Sequence, residues 1–302
     1  MTLAWNATEL KVTSDDARRA KYRALQSWYR ENILQLPPGL EGETPRANLL
    51  PAAAVEADAS LNFLRDGQIA AYVKDRANLV VELGGTLEKQ RLMHNLLSSM
   101  PLCFNIFGKL RSERAAAARV LARLYDLPIA AIDEIEVEWA PADHPLQDRT
   151  AFDAWVAYRT DEGRRGFLGV ETKYTEPFSE RPLHRLDRYR GWNDFSGSGF
   201  QPGATDALAV PATAQLWRNA LLAVAVRADG DWELGHVAVL ALEGDPGVTA
   251  ALGGLRGQHR DLGSLVRSAT LEQLVRIARD EPTLESWANA FEQRYLDLTP
   301  IA

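Results

Sequence analysis

The sequence predicts an α/β protein, a central mixed sheet flanked by helices with helical additions at both ends. Three observations carry that expectation. Helical spacing of apolar residues dominates the first 125 residues. Strand-like runs follow at 131–139, 151–158, 166–174 and 232–242, with one helical segment before the last of them. Helical spacing then returns to the C-terminus. Strands and helices interleaved in this way favour a layered core over a bundle or a sandwich. The 302 residues suffice for one large domain or two small ones. A helical N-terminal region over 1–80 and a strand-bearing domain over 81–302 are expected.

The elements follow in order. Ser14 is placed to cap a helix over 14–36, where Ala17, Tyr22, Leu25, Trp28, Tyr29 and Ile33 recur at helical spacing. Arg18, Arg19, Lys21, Arg23 and Arg30 make its other side basic, and Pro37-Pro38-Gly39 stops it. Residues 37–55 read as a loop, and a weakly amphipathic helix is expected up to about Asp75. Thr86 opens a helix through Leu92, Met93, Leu96 and Leu97 that Ser98-Ser99-Met100-Pro101 ends. Leu102 to Gly108 then reads as a compact apolar turn. Ser112 caps an alanine-rich helix, Glu113 to Tyr125. Ile132, Ile135, Val137 and Trp139 mark a strand with Glu134, Glu136 and Glu138 on its other side. Residues 176–210 are irregular, Thr213 caps a helix through Val224, and Trp232 to Leu242 is a strand. Helices over about 248–260, 270–280 and 284–297 finish the chain. Thr270-Leu271-Glu272-Gln273 is close to a capping box.

Composition narrows the function classes. The single cysteine, Cys103, excludes an internal disulfide and fits a reducing compartment. No apolar run approaches a membrane span, and Met1 to Asn6 lacks the regions of a signal peptide, so a cytoplasmic location is expected. The net charge, 34 − 41 = −7, is unhelpful for a nucleic-acid binder, although a local basic patch can act within an acidic whole. His94, His144, His184, His236 and His259 show no zinc spacing, Gly253-Gly254-Leu255-Arg256-Gly257 lacks a phosphate-loop ending, and no nucleophile elbow is present.

The stretch Gly166 to Tyr174 concentrates the chemistry. On a strand Glu171 and Lys173 share one face, while Leu168, Val170 and Tyr174 share the other. An acid and an ammonium beside an apolar strand are costly unless they pair with each other, a metal or a charged substrate. The polar linker Arg159 to Arg165 reads as a hairpin turn, which folds Asp153 of the preceding strand towards Glu171 and Lys173. Asp153 and Glu171, with the backbone carbonyl of Thr172, offer the hard oxygen donors that Mg²⁺ takes. Such an ion activates water and polarises a phosphoryl oxygen, and Lys173 can orient that water. The assembly suits phosphodiester hydrolysis. The segment 181–190, with Arg185, Arg188 and Arg190, is basic enough to grip a phosphate backbone or to be a solvated loop.

The arrangement Asp153 … Glu171-Thr172-Lys173 on consecutive strands resembles the PD-(D/E)xK nuclease superfamily, with its restriction-endonuclease-like fold, and within it a bacterial restriction-endonuclease-like branch. The resemblance also rests on Ser98 to Gly108, Ala151-Phe152-Asp153, Gly169 to Glu176 and Gln215-Leu216-Trp217-Arg218-Asn219, and spans roughly 95–225. It implies an Mg²⁺-dependent endodeoxyribonuclease, with Mn²⁺ able to substitute, in which Asp153 and Glu171 bind metal and Lys173 is catalytic. It further implies Gln215 and Arg218 near the site, DNA as partner, and a role in bacterial defence with partner proteins of that system. Cutting both strands would favour a homodimer. The motif's proline is replaced by Phe152, and the early helical glutamate of the superfamily has three contenders, Glu88, Glu113 and Glu138. Glu9-Leu10-Lys11 also fits the bare triplet, without a partner strand. Other readings remain: a buried ion network, a non-catalytic binding or assembly module on the same fold, and a repair or junction nuclease. Glu176 reads as a solvated strand-end charge or a further metal-site acid.

Overall fold

The structure, a computed structural model, describes residues 12–82, 87–179 and 182–302. The Glu9-Leu10-Lys11 triplet, the helix start expected at Thr86 and Arg181 lie outside those residues. The chain divides into two compact units. One comprises residues 1–109, 174–176 and 285–302, the other 110–173 and 177–284.

The first unit opens with α1 (Ala17–Trp28), which continues into one π-helical turn, Tyr29–Ile33. Its cap is Asp16, not Ser14: the Asp16 carboxylate accepts the Arg19 amide at 2.7 Å. The basic face expected on this helix is partly structural. Arg23 is buried against Asp15, with Nε 2.5 Å from Oδ2, and also donates to Asn48. Buried Arg30 donates to the carbonyls of Ala47 and Leu36. The expected loop at 37–55 instead contains a short antiparallel hairpin, β1 (Gly39–Glu41) and β2 (Thr44–Arg46), and the start of α2 (Ala52–Ala57). Gly42 takes φ +60° in the hairpin turn, a conformation natural to glycine. Next come α3 (Gly67–Glu82) and α4 (Lys89–His94).

The expected apolar turn at 102–108 is a helix, α5 (Ser99–Ser112). Pro101 occupies its first turn, where no intrahelical partner awaits its missing N–H, so it starts the helix rather than ending one. Ser98 Oγ accepts the Met100 amide at 3.2 Å, and the Glu176 carboxylate accepts the Ser99 amide at 2.8 Å. Glu176 also lies 3.5 Å from Arg91. It caps a helix and pairs with an arginine, so it is not a solvated strand-end charge.

In the second unit α6 (Arg114–Tyr125) takes Glu113, not Ser112, as its N-cap and ends at Asp126 in the left-handed region. The sheet strands are β3 (Ala131–Trp139), β4 (Phe152–Arg159) and β5 (Arg165–Thr172). Segment 176–210 carries the short α7 (Asp187–Asn193) and α8 (Thr205–Leu208) within its irregular course. Then come α9 (Ala214–Ala228), β6 (Leu234–Ala241), α10 (Pro246–Arg256), β7 (Val266–Thr270) and α11 (Leu271–Ala278). The strand β7 is an element that periodicity did not mark. The capping box at Thr270 and Gln273 forms as expected.

The sheet has five strands in the order β3-β4-β5-β6-β7. β3, β4 and β5 are antiparallel, while β5, β6 and β7 are parallel. The chain between β5 and β6 is long and includes α9, as a parallel crossover requires. β5 and β6 are buried along nearly their whole length, hence their mainly apolar sequence, which Glu171 and Thr172 at the end of β5 and His236 in β6 interrupt. A bulge between Ile132 and Glu134 lets Ile132 and Ile135 both face inward at odd spacing. α9 is buried on most sides and packs with Trp155, Phe167, Val237 and Val239 of the sheet. Trp139, Trp155 and Phe167 stack across three strands, with centroids 3.9 and 4.3 Å apart. This is a mixed α/β fold with a central mixed sheet flanked by helices.

The last helix, α12 (Glu285–Tyr295), belongs to the first unit. Its Arg294 is fully buried, donates to Asn62 O at 2.9 Å and Asn62 Oδ1 at 2.6 Å, and lies over the Tyr29 and Tyr295 rings. Among the described residues no helix is long and apolar enough to cross a membrane.

Candidate active site

The β4–β5 register pairs Ala154 with Val170. Continued by one residue, it sets Asp153 opposite Glu171, so both project from the same sheet face. Asp153 Oδ2 accepts the Thr172 amide at 2.7 Å and the Thr172 hydroxyl at 2.9 Å. Thr172 thereby fixes the aspartate. Gly169 leaves room for the Phe152 ring that leads into β4: a Cβ there would stand 2.4 Å from it.

Lys173 extends the line of β5, its amide donating to Leu240 O at 2.8 Å. Its ammonium lies 3.0 Å from Glu171 Oε1, and both side chains are buried. Nζ also donates to Gln215 Oε1 at 3.1 Å and sits 4.6 Å from the centre of the Phe178 ring. From α9, Gln215 Nε2 donates to Glu171 Oε1 at 2.6 Å, and the Ser179 amide donates to Gln215 Oε1 at 3.1 Å. The amide is turned the only way that suits its neighbours, donor to carboxylate and acceptor to ammonium. Asn219, one turn further along α9, donates to Glu171 Oε2 at 2.8 Å. Glu171 therefore accepts from three side chains, two of them on one helix face.

The acids here repel one another. Asp153 is held well above the ordinary carboxylate range, first by desolvation and then by the charges of Glu171 and Glu138, with Lys173 and the Thr172 amide opposing. Glu138 is half-buried, with φ +54° near the end of β3. Of the three contenders for a further acid, it is the one whose field reaches Asp153.

Among the described residues, no group of three or more His, Cys, Asp or Glu side chains stands where protein alone could hold a metal ion. Mg²⁺ does not need one, because one or two carboxylates with water and substrate phosphate complete its shell. Asp153, Glu171 and the Thr172 carbonyl are hard oxygen donors, and the crowding of negative charge at Asp153 favours a cation. The donor set fits a hard divalent ion and not a soft one.

The structure thus brings together Asp153, Glu171, Thr172, Lys173 and Gln215. Of the four arginines, Arg188, Arg190 and Arg218 make their own contacts elsewhere rather than hydrogen bonds or ion pairs with that cluster. Arg185 is exposed at φ +56°. Arg188 donates to Gln147 O at 2.5 Å, and Arg190 pairs with Asp187 and Asp206. Arg218 lies 3.6 Å from Asp148. Asn219 is the residue that the sequence reading left without a role. Its spacing of four from Gln215 was the available signal, since such residues share a helix face.

A family model described as the PD-(D/E)XK nuclease superfamily matches residues 13–297. No curated protein and no solved structure matches the chain.

Proposed function

Because the chain belongs to the PD-(D/E)XK nuclease superfamily, we propose that it is a divalent-metal-dependent endonuclease that cuts DNA in bacterial defence. The family supports nuclease activity, and nucleases of this superfamily typically use divalent metals. The observation that carries the residue assignment is the convergence of Asp153, Glu171 and Lys173 at one end of β4 and β5.

Asp153 and Glu171 would hold Mg²⁺, with Mn²⁺ able to substitute, and the Thr172 carbonyl would add an oxygen. The ion supplies activation of water and charge neutralisation at phosphorus. Lys173 positions the attacking water by hydrogen bonding and offsets negative charge that builds on the phosphoryl oxygens. Gln215 holds Lys173 against Glu171, so the ammonium arrives oriented rather than searching rotamers. Asn219 fixes the other oxygen of Glu171. Thr172 keeps Asp153 in place through two hydrogen bonds. The arginines at 185, 188, 190 and 218 contact the phosphate backbone.

The test compares the unaltered protein with Asp153→Ala and Lys173→Ala on plasmid, linear and single-stranded DNA, with and without Mg²⁺ or Mn²⁺. Each substitution should lower cleavage by at least about a hundredfold, the scale of a lost acid–base or electrostatic contributor. The fold should persist, as circular dichroism would register. Cutting that survives both substitutions removes the mechanism. DNA binding without cutting under any metal would favour a non-catalytic module on the same fold.

A further inference from the structure

The loop between β3 and β4 carries a carboxylate that the assignment above does not use. Asp148 Oδ1 accepts the Thr150 amide at 2.8 Å, and Oδ2 accepts the Thr150 hydroxyl at 2.8 Å and the Tyr189 hydroxyl at 2.7 Å. Burial pushes this carboxyl up, but these hydrogen bonds and the Arg218 charge outweigh it and hold the group below the usual carboxylate range. Asp148 is therefore a fixed negative anchor.

Arg218 lies beside that anchor and also acts on the Tyr189 hydroxyl. Its NH1 stands 3.6 Å from Asp148 Oδ2, close enough for attraction and too far for a hydrogen bond. Its Nε is buried with no hydrogen-bond partner. A guanidinium has five donors in a planar fork suited to a phosphate, and a buried donor left empty is costly. Arg218 is three residues from Gln215 on α9, hence on the adjoining part of the same helix face. Arg188 reaches the same loop from α7, donating to Gln147 O at 2.5 Å. Two guanidinium groups from different helices thus meet at consecutive loop residues, one turn from the side chain that braces Lys173.

We propose that Asp148 is a positioning residue that, with Tyr189, presents Arg218 beside Arg188 as a clamp on a backbone phosphate flanking the one hydrolysed. This rests on the nuclease reading above. The acid helps bind a polyanion by holding the arginine in place, against the sign of its own charge.

That opposition supplies the test. Binding of a fluorescein-labelled random-sequence DNA duplex is followed by anisotropy in EDTA, so that no cleavage intervenes, over a series of salt concentrations. The proteins are the unaltered chain, Arg218→Gln, Asp148→Ala, Asp148→Asn and Arg256→Gln, the last an exposed arginine on α10 that matches the charge change. Arg218→Gln should weaken binding about tenfold, the scale of a lost charge-assisted contact. It should also flatten the salt dependence by about one phosphate's worth. Both Asp148 variants should weaken binding too, although charge alone would tighten it. Thermal unfolding of each variant checks its fold, and Asp148→Asn carries the test if Asp148→Ala does not fold. Unchanged or tighter binding by folded Asp148 variants overturns the proposal, as does an Arg218→Gln salt slope equal to that of Arg256→Gln. If the unaltered protein neither binds nor cuts DNA, the nuclease reading itself fails, and this proposal with it, before any variant is compared.

Discussion

Asn219 offers the sharpest single perturbation of the site. Among the described residues its Nδ2 is the one donor to Glu171 Oε2, at 2.8 Å, whereas Gln215 and Lys173 both act on Oε1. Glu171 is 2 % exposed, so water cannot replace a lost donor. A hydrogen bond to a charged group is worth about 1.5–3 kcal/mol, and removing a buried partner exacts the upper part of that range. Asn219→Ala should therefore lower stability by about 2 kcal/mol. For 302 residues, an unfolding entropy near 2.1 cal/mol/K per residue converts this into a midpoint lower by about 3 °C. With Oε2 unheld, the carboxylate is free to turn towards its two Oε1 donors, so cleavage should fall by more than the stability loss explains. Asn219→Asp, nearly the same shape, sets a carboxylate against a carboxylate and should cost more than the alanine variant. Differential scanning calorimetry in EDTA, with single-turnover cleavage in Mg²⁺, measures both effects. An Asn219→Ala protein with the unaltered midpoint and rate would refute the claim that α9 holds Glu171. So would an Asn219→Asp protein as stable as the parent.

Two further predictions concern the sheet. Burial first, and then Arg267 and Arg227, lower the His236 pKa from 6.5 to about 4, with Tyr158 Oη 3.3 Å from Nδ1. Between those values the unfolded chain binds a proton that the folded chain refuses, so stability is complete above pH 6.5 and drains as pH falls towards 4. At pH 5 the loss is about 2 kcal/mol. Urea unfolding at pH 7 and pH 5 should show this extra acid sensitivity in the unaltered protein and its absence in His236→Gln; equal pH slopes would exclude it. Gly169→Ala drives a methyl group to 2.4 Å from the Phe152 ring and should cost about 1–3 kcal/mol. A double-mutant cycle with Phe152→Leu should recover part of that, and strict additivity would refute the clash.

What the sequence disclosed, and what it hid, follows from how local each signal is. The β4–β5 hairpin was legible because apolar runs flank a polar, glycine-bearing linker, and period two then fixes which side chains share a face. That the hairpin folds Asp153 towards Glu171 came with it; the register itself comes from the structure. α5 was misread because Pro101 marks an end or a beginning with equal force. What decides is whether its neighbours' amides find partners, and these come from Ser98 and from distant Glu176. β1 and β2 are three residues each and mostly exposed, too short for any alternation to show. β7 buries Val266 and Ala269, three apart, and runs straight into α11. Arg23 and Arg30 looked like a solvent face because the groups that accept their protons, Asp15, Asn48 and the Ala47 carbonyl, include partners far along the chain. Asn219 had the right spacing from Gln215, but spacing does not name the carboxylate at its end.

The reading of the site as a mere ion network can be weighed on the same grounds. A buried network that exists for stability should be balanced, because each uncompensated charge in a low dielectric raises the energy of the rest. Glu171 alone meets that standard, with Lys173, Gln215 and Asn219 around it. Asp153 does not: two further carboxylates, Glu171 and Glu138, act on it against one ammonium. Desolvation and those two carboxylates together hold Asp153 well above the ordinary carboxylate range, with Lys173 and the Thr172 amide opposing. A hard divalent cation with oxygen ligands would offset that repulsion between carboxylates. An arrangement that burial and like charge strain as an ion network is poorly explained by stability alone, and its oxygen donors suit the divalent ion proposed above.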